Sequence, residues 1–205
     1  MTTLDDDARS VVLVEGHSDR VALETLAARR STDLAAAGVR VVPVGGVTNV
    51  RRALGRYAPR GLRLTVLCDQ AEHPVVRRAV ELTAVDVAVL VCVADLEEEL
   101  IRAAGTATVL GVIATHGEDR SFAALRQQPA HRRRTVEQVL RRFMGSRAGR
   151  KATYAELLVA ALPLDGVPAV LDATLAAALS TGGPHPALAS ARISGHSPPG
   201  EVTSS

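Results

Sequence analysis

Aromatic residues make up only 2% of this 205-residue chain, with two Phe, two Tyr and no Trp. Its core must therefore be assembled from Val, Leu and Ala, and the stacked aromatic platforms that grip single-stranded nucleic acid are excluded. Long apolar runs are missing too. The longest, residues 87–94, falls well short of the roughly 20 residues that cross a bilayer. No signal-peptide pattern opens the sequence, so a cytoplasmic protein without membrane contact is expected. Cysteine is scarce: Cys68 and Cys92 each lie inside a Val/Leu-rich run, where a small thiol serves as core filler, and two cysteines make no metal motif. A reducing compartment argues against a disulfide between them. Lysine is scarcer still. Lys151 is the only one beside 23 arginines, a skew of the kind genomic base composition produces, which gives single arginines little meaning and singles out the lysine.

What is present is a globular balance, 47% hydrophobic and 22% charged, in a length that suits one domain of moderate size. From residue 10 to residue 100, short β-branched runs alternate with helical patterns, the rhythm of a parallel sheet covered on both faces. The strand candidates are residues 11–14, 39–44, 62–68 and 87–93, and helix candidates lie between them at 19–30, 47–57 and 75–83. Beyond Asp95 the spacing is helical at 95–104, 121–126, 135–144, 152–161 and 169–179, and the one further strand candidate is 109–114. The expected layout is a flexible N-terminus over 1–8, an α/β core over 9–115, a helical extension packed on it over 116–180, and a Gly/Pro/Ser-rich disordered tail over 181–205.

Charge is uneven along this layout. Residues 126–151 carry nine basic side chains and one acidic, while the segments on either side are each net acidic. Arg132, Arg133, Arg134, Arg141, Arg142 and Arg150 in that segment are candidates for phosphate contacts that carry no base reading; the alternative is a solvated helical face.

Three strand candidates end in carboxylates. The first runs into Glu15-Gly16-His17-Ser18-Asp19, the third into Asp69-Gln70-Ala71-Glu72, and the fourth into Asp95-Leu96-Glu97-Glu98-Glu99. Ligands of open α/β sheets bind at the carboxyl ends of strands, so these acids share a functional rim. Asp19 also reads as a cap of the next helix, and the 95–99 run as a helix N-terminus favoured by its dipole. Glu15 has no such ordinary role, because a carboxylate at the end of a buried strand is costly unless a cation meets it. Like charges so gathered call for a hard cation, Mg²⁺ or Mn²⁺ in an all-oxygen site. Gly45-Gly46 matches neither nucleotide-loop fingerprint and reads as a simple turn.

The hydrophobic run ending in Glu-Gly-x-x-Asp, followed by a strand ending in Asp69, resembles the Toprim domain of topoisomerases, primases and certain nucleases. With the Val42-Pro43-Val44-Gly45-Gly46 turn, residues 95–100 and residues 143–158, the chain is most similar to the overcoming-lysogenisation-defect (OLD) nucleases, as a small version lacking the ATPase half. That resemblance spans residues 8–175. It implies a Rossmann-like parallel four-stranded sheet flanked by helices with a helical C-terminal extension, and a Mg²⁺- or Mn²⁺-dependent endonuclease acting on nucleic acid, DNA ahead of RNA. It makes Glu15 and Asp19 the first ligand pair, Asp69 the first aspartate of an Asp-x-Asp motif, Asp95 and Glu97 supports of a second cation, and Lys151 the stabiliser of transition-state charge. The second aspartate is replaced by Ala71, which has no ligand atoms; Glu72 is the nearest substitute. Two other readings stay open: a module that binds nucleic acid or nucleotide without cutting, and a nuclease subunit acting with a separate ATPase chain. A homodimer is a further open expectation.

Overall fold

Runs of Val and Leu that can bury both faces form four strands, β1 (Ser10–Val14), β2 (Val39–Pro43), β3 (Arg63–Asp69) and β4 (Val87–Cys92), in the computed structural model of the protein. The structure describes residues 7–83 and 85–180. The expected flexible N-terminus over 1–8 lies, except for residues 7 and 8, outside the described residues, as does the expected tail over 181–205. The strands pair in parallel in the order β2-β1-β3-β4. Leu13 stands opposite Val42 on one side and Val66 on the other, and Asp69 opposite Cys92.

The order dictates where a ligand can sit. The chain leaves β1 toward β2 and then crosses back over β1 to β3, so the connections diverge between β1 and β3, and a crevice opens at the carboxyl ends of those two strands. Helices α2 (Val50–Tyr57) and α3 (His73–Glu81) cover one face, meeting Val11, Leu13, Leu64, Val66 and Cys68. Helix α1 (His17–Arg29) covers the other, against Val12, Val14 and Val41.

A single crossover helix cannot cover four strands, and the second half of the chain fills the gap. It folds as α4 (Leu96–Thr115), α5 (Asp119–Gln127), α6 (Val136–Met144), α7 (Arg150–Ala161) and α8 (Ala169–Leu179). The last of these lies on β1, β3 and β4 beside α1, and α7 packs along α1, so sheet and extension share one buried cluster. Its largest fully buried members include Tyr154, Phe143, Leu23, Leu100 and Leu140.

Residues 109–114, a strand candidate by composition, are instead the second half of α4. Val109 and Ile113, four residues apart, fall on the same helical face and are buried, whereas no sheet edge is offered to them. Gly105 breaks the helix ahead of them with φ 72° and ψ 150°, a conformation that glycine alone adopts at little cost. Cys68 and Cys92 are free and buried in different clusters on opposite faces of the sheet, which makes both core filler. No helix among the described residues is long and apolar enough to cross a membrane.

Candidate metal centre

Glu15 is the first residue beyond β1, and Asp69 is the last of β3. They therefore flank the crevice where the connections diverge. The backbone of Glu15 is fixed from the neighbouring loop: Gly45 and Gly46 both donate their amides to the Glu15 carbonyl, at 3.0 and 3.3 Å. Both glycines have positive φ, 74° and 106°, so the turn that aims these two donors is open to no side-chain-bearing residue without strain. The pair is a brace for Glu15, and its amides are already used.

Asp19 is the third residue of α1 and accepts a hydrogen bond from the Gly16 amide at 2.8 Å, which holds it beside Glu15. Its role as a helix cap and its place on the rim are thus the same fact. Burial, opposed by that hydrogen bond, and then the charges of Glu97 and Glu15, push the Asp19 carboxyl up to about 6. Asp69 rises to about 7, first through burial, then through the charges of Glu15, Asp95, Asp19 and Glu72. Glu72 is raised as well, by burial and by Glu15. Carboxylates delivered by β1, α1, β3 and the turn after β3 are therefore close enough to repel one another.

Asp95 and Glu97 sit differently. Asp95 is the N-cap of α4: its Oδ1 accepts from the Glu98 amide at 2.8 Å, and its Oδ2 is paired with Arg141. Glu97 is buried and takes Lys151 Nζ at 3.2 Å. Both acids reach the rim, and both have a cationic side chain against them. Lys151 is half-exposed; burial works against its charge, but Glu97, with Asp95 and Glu15 behind it, holds the ammonium above the ordinary lysine range.

The donor chemistry fits a hard divalent cation, since Glu15, Asp19, Asp69 and Glu72 offer oxygen alone, and none of the four shares the direct ion pairs that the structure shows for Asp95 and Glu97. As the side chains stand, no three His, Cys, Asp or Glu among the described residues are gathered closely enough to hold an ion, so binding one requires side-chain rotation at this rim. Ala71, at the position of the second aspartate, is exposed in the turn after β3.

A cleft of about 1110 Å³ opens beside Asp95, Glu97 and Lys151, between the first half of α4 and helix α6. Of the arginines of the basic segment, Arg134, Arg141 and Arg142 line it; Arg132 and Arg133 are exposed outside it. Arg150 is a correction: it is only 6% exposed and turned inward onto Glu118, so it is closed to a phosphate. The sequence reading missed Arg102, which lines the cleft and pairs with Glu99 one helical turn away; the three-residue spacing on α4 was the available signal.

Raised carboxyl pKa values carry a sign. Between about pH 4 and pH 7 the folded chain binds more protons at Asp19 and Asp69 than the unfolded chain, whose aspartates titrate near 3.8, so their contribution to stability falls as pH rises through that window. In EDTA, Asp69→Asn should therefore melt above the wild type at pH 8 and level with it at pH 4, with ~2–4 °C for each kcal/mol relieved. Equal midpoints at pH 8, read by thermal unfolding, would show that these acids are not crowded.

Residues 8–70 match the family described as overcoming lysogenization defect protein-like, TOPRIM domain. Among solved structures, the chain is similar to the C-terminal region of the Burkholderia pseudomallei OLD protein, with a TM-score of 0.63 and 20% identity over 84% of this chain and 97% of that one. The C-terminal region of the Xanthomonas campestris pv. campestris OLD protein compares at 0.63 and 22% identity, over 84% and 95%. Comparison with curated proteins finds no match.

Proposed function

We propose that this chain, whose residues 8–70 match the Toprim domain of OLD-like proteins and whose fold is that of the C-terminal regions of OLD proteins, is a divalent-metal-dependent phosphodiester hydrolase acting on nucleic acid. The observation that carries the reading is the placement of Glu15, Asp19 and Asp69 at the β1–β3 crevice, beside a cleft lined with four arginines and the sole lysine. Glu15, Asp19 and Asp69 would hold Mg²⁺ or Mn²⁺, with Glu72 standing in for the aspartate that Ala71 replaces. A bound cation of this kind supplies an activated water and neutralises phosphoryl oxygens.

The chain's own residues supply the rest. Arg102, Arg134, Arg141 and Arg142 hold the phosphate backbone along the cleft through charge and not through base edges. Lys151, protonated through neutral pH, meets the negative charge that develops on the phosphate. Lys151 and Arg141, now paired with Glu97 and Asp95, would be the cations nearest to a phosphate in the cleft, and Glu97 and Asp95 would support a second cation from the α4 side. DNA is the favoured substrate, and a separate ATPase chain is a candidate partner by analogy with the OLD architecture.

Supercoiled DNA, linear DNA and RNA, each incubated with wild type, Glu15→Gln and Lys151→Ala in Mg²⁺, Mn²⁺ or EDTA, test the proposal. Metal-dependent cutting by wild type alone is expected; cutting that persists in both variants places the activity elsewhere. The eroded Asp-x-Asp motif favours one rival, a module that binds nucleic acid without cutting, which would show undiminished DNA affinity and no products. Ala71→Asp separates degrees of the same idea: restoring the lost oxygen ligand should tighten Mn²⁺ binding by about 10-fold, within the range that support of a metal site is worth, and titration calorimetry measures it.

A further inference from the structure

The first turn of α7 carries two neighbouring cations with opposite fates. Lys151 points into the cleft and reaches Glu97, whereas Arg150 is buried. The Arg150 guanidinium is held from three directions. One nitrogen donates to Glu118 Oε1 at 2.6 Å; the other donates to Ser146 Oγ at 2.6 Å and to the Phe143 carbonyl at 3.2 Å. Its face lies 4.0 Å from the Phe143 ring centre. The second oxygen of Glu118 accepts from the Tyr154 hydroxyl at 2.9 Å, one turn further along α7. Tyr154 in turn packs edge-on to Phe143 and His116.

One fork therefore ties together the end of α6, the corner between α4 and α5, and the start of α7. Burial works against charge on Glu118, but the hydrogen bonds from Arg150 and Tyr154 outweigh it and hold the carboxyl below the ordinary glutamate range, so the carboxylate stays ionised at neutral pH. Residues 145–149 are exposed, Gly149 enters the helix at φ 80°, and no side chain caps it. The Lys151 stem passes so close to α6 that a Cβ on Gly145 would stand 3.8 Å from Lys151 Cε.

We infer that Glu118 and Arg150 are positioning residues that set where the Lys151 ammonium stands over the acidic rim, by clamping the first turn of α7 to α6. The inference rests on the proposed role of Lys151. A guanidinium suits the task because its five donors lie in a fixed plane that can bond three acceptors and stack at once, which a single ammonium cannot do. Without the clamp the helix remains, but its first turn is free to shift relative to Glu97.

Because Lys151 is the only lysine, protein grown with ¹³Cε-lysine gives one lysine signal. Glu97→Gln supplies the reference position for a Lys151 whose partner is gone. Glu118→Gln keeps the side-chain volume and should move the signal toward that reference while far-ultraviolet circular dichroism is unchanged. Its kcat should fall about 10- to 100-fold with KM little altered, the scale of a small misplacement of a reacting group. Tyr154→Phe, which removes one of the two partners of Glu118, should give a smaller movement in the same direction and keeps the test open if Glu118→Gln does not fold. A Lys151 signal that stays at the wild-type position in both variants overturns the inference. Movement of the signal in a protein whose wild type cuts nothing upholds the clamp and rejects the hydrolase.

Discussion

Glu15→Gln should lower metal-dependent cleavage by at least ~10³-fold, equivalent to about 4 kcal/mol of transition-state stabilisation, while leaving the fold intact. The side chain is half-buried at the tip of the central strand β1, and its backbone carbonyl is already secured by Gly45 and Gly46, so the amide isostere changes charge and little else. Two opposite effects follow from that one change. Glu15 heads the charges that raise Asp69 and Glu72, so in EDTA at pH 8 the variant should melt above the wild type. In Mg²⁺ or Mn²⁺ it should lose the rise in melting temperature that ligand binding gives the wild type. A variant that is less stable in EDTA, or that gains as much from Mn²⁺ as the wild type, would remove Glu15 from the site whatever its activity.

How much of this was legible in the sequence follows from which interactions are local. Each strand of the sheet is a short Val- or Leu-rich run, and those runs fall on β1 to β4 to within a residue or two at their ends. Glu15, Asp69 and Asp95 could be placed on one rim because parallel strands all end at the same edge, a consequence of topology that needs no coordinates. The run 109–114 was misleading because β-branched composition does not distinguish a strand from a buried helical face, and the decision fell to a missing sheet partner. Arg150 was misleading for a different reason. In a chain so rich in arginine, nothing local separates a guanidinium that faces solvent from one that meets Glu118, 32 residues earlier in sequence. Glu118 was invisible for the same reason in reverse, since it matters only through partners that folding brings to it, whereas Arg102 carried a local signal in its three-residue spacing to Glu99.

The electrostatics divide the rim into halves that sequence alone runs together. On one side Asp95 and Glu97 are each met by a cation from the helical extension, Arg141 from α6 and Lys151 from α7. On the other, Asp19, Asp69 and Glu72 are raised, first by burial and then by the like charges around them. The extension thus does more than complete the core: it places its ion pairs on the α4 half of the rim, and the β1–β3 half is where the proposed cation would sit. An arrangement with all six acids equally exposed would have no such gradient and no reason to prefer one position for a cation.

Lys151→Ala should cut turnover by about 10²- to 10³-fold, the loss seen when a preorganised donor to developing charge is removed, with KM changed little. The ammonium is half-exposed and its partner Glu97 is buried, so truncation leaves a buried carboxylate without its cation. That is the part of the effect to control for. Lys151→Ala with Glu97→Gln removes both charges together and is read against Glu97→Gln alone; if Lys151 only neutralised Glu97, the double variant would turn over as fast as Glu97→Gln. If Lys151 meets the phosphate, the double variant is slower than Glu97→Gln by the factor that Lys151→Ala costs the wild type. Single-turnover cleavage in saturating Mn²⁺ separates the two, because substrate and cation are bound before the clock starts. Lys151→Arg keeps the charge but spreads it over a plane, and should recover binding more fully than rate. Full turnover in Lys151→Ala would leave the sole lysine as the salt-bridge partner of a buried glutamate and nothing more.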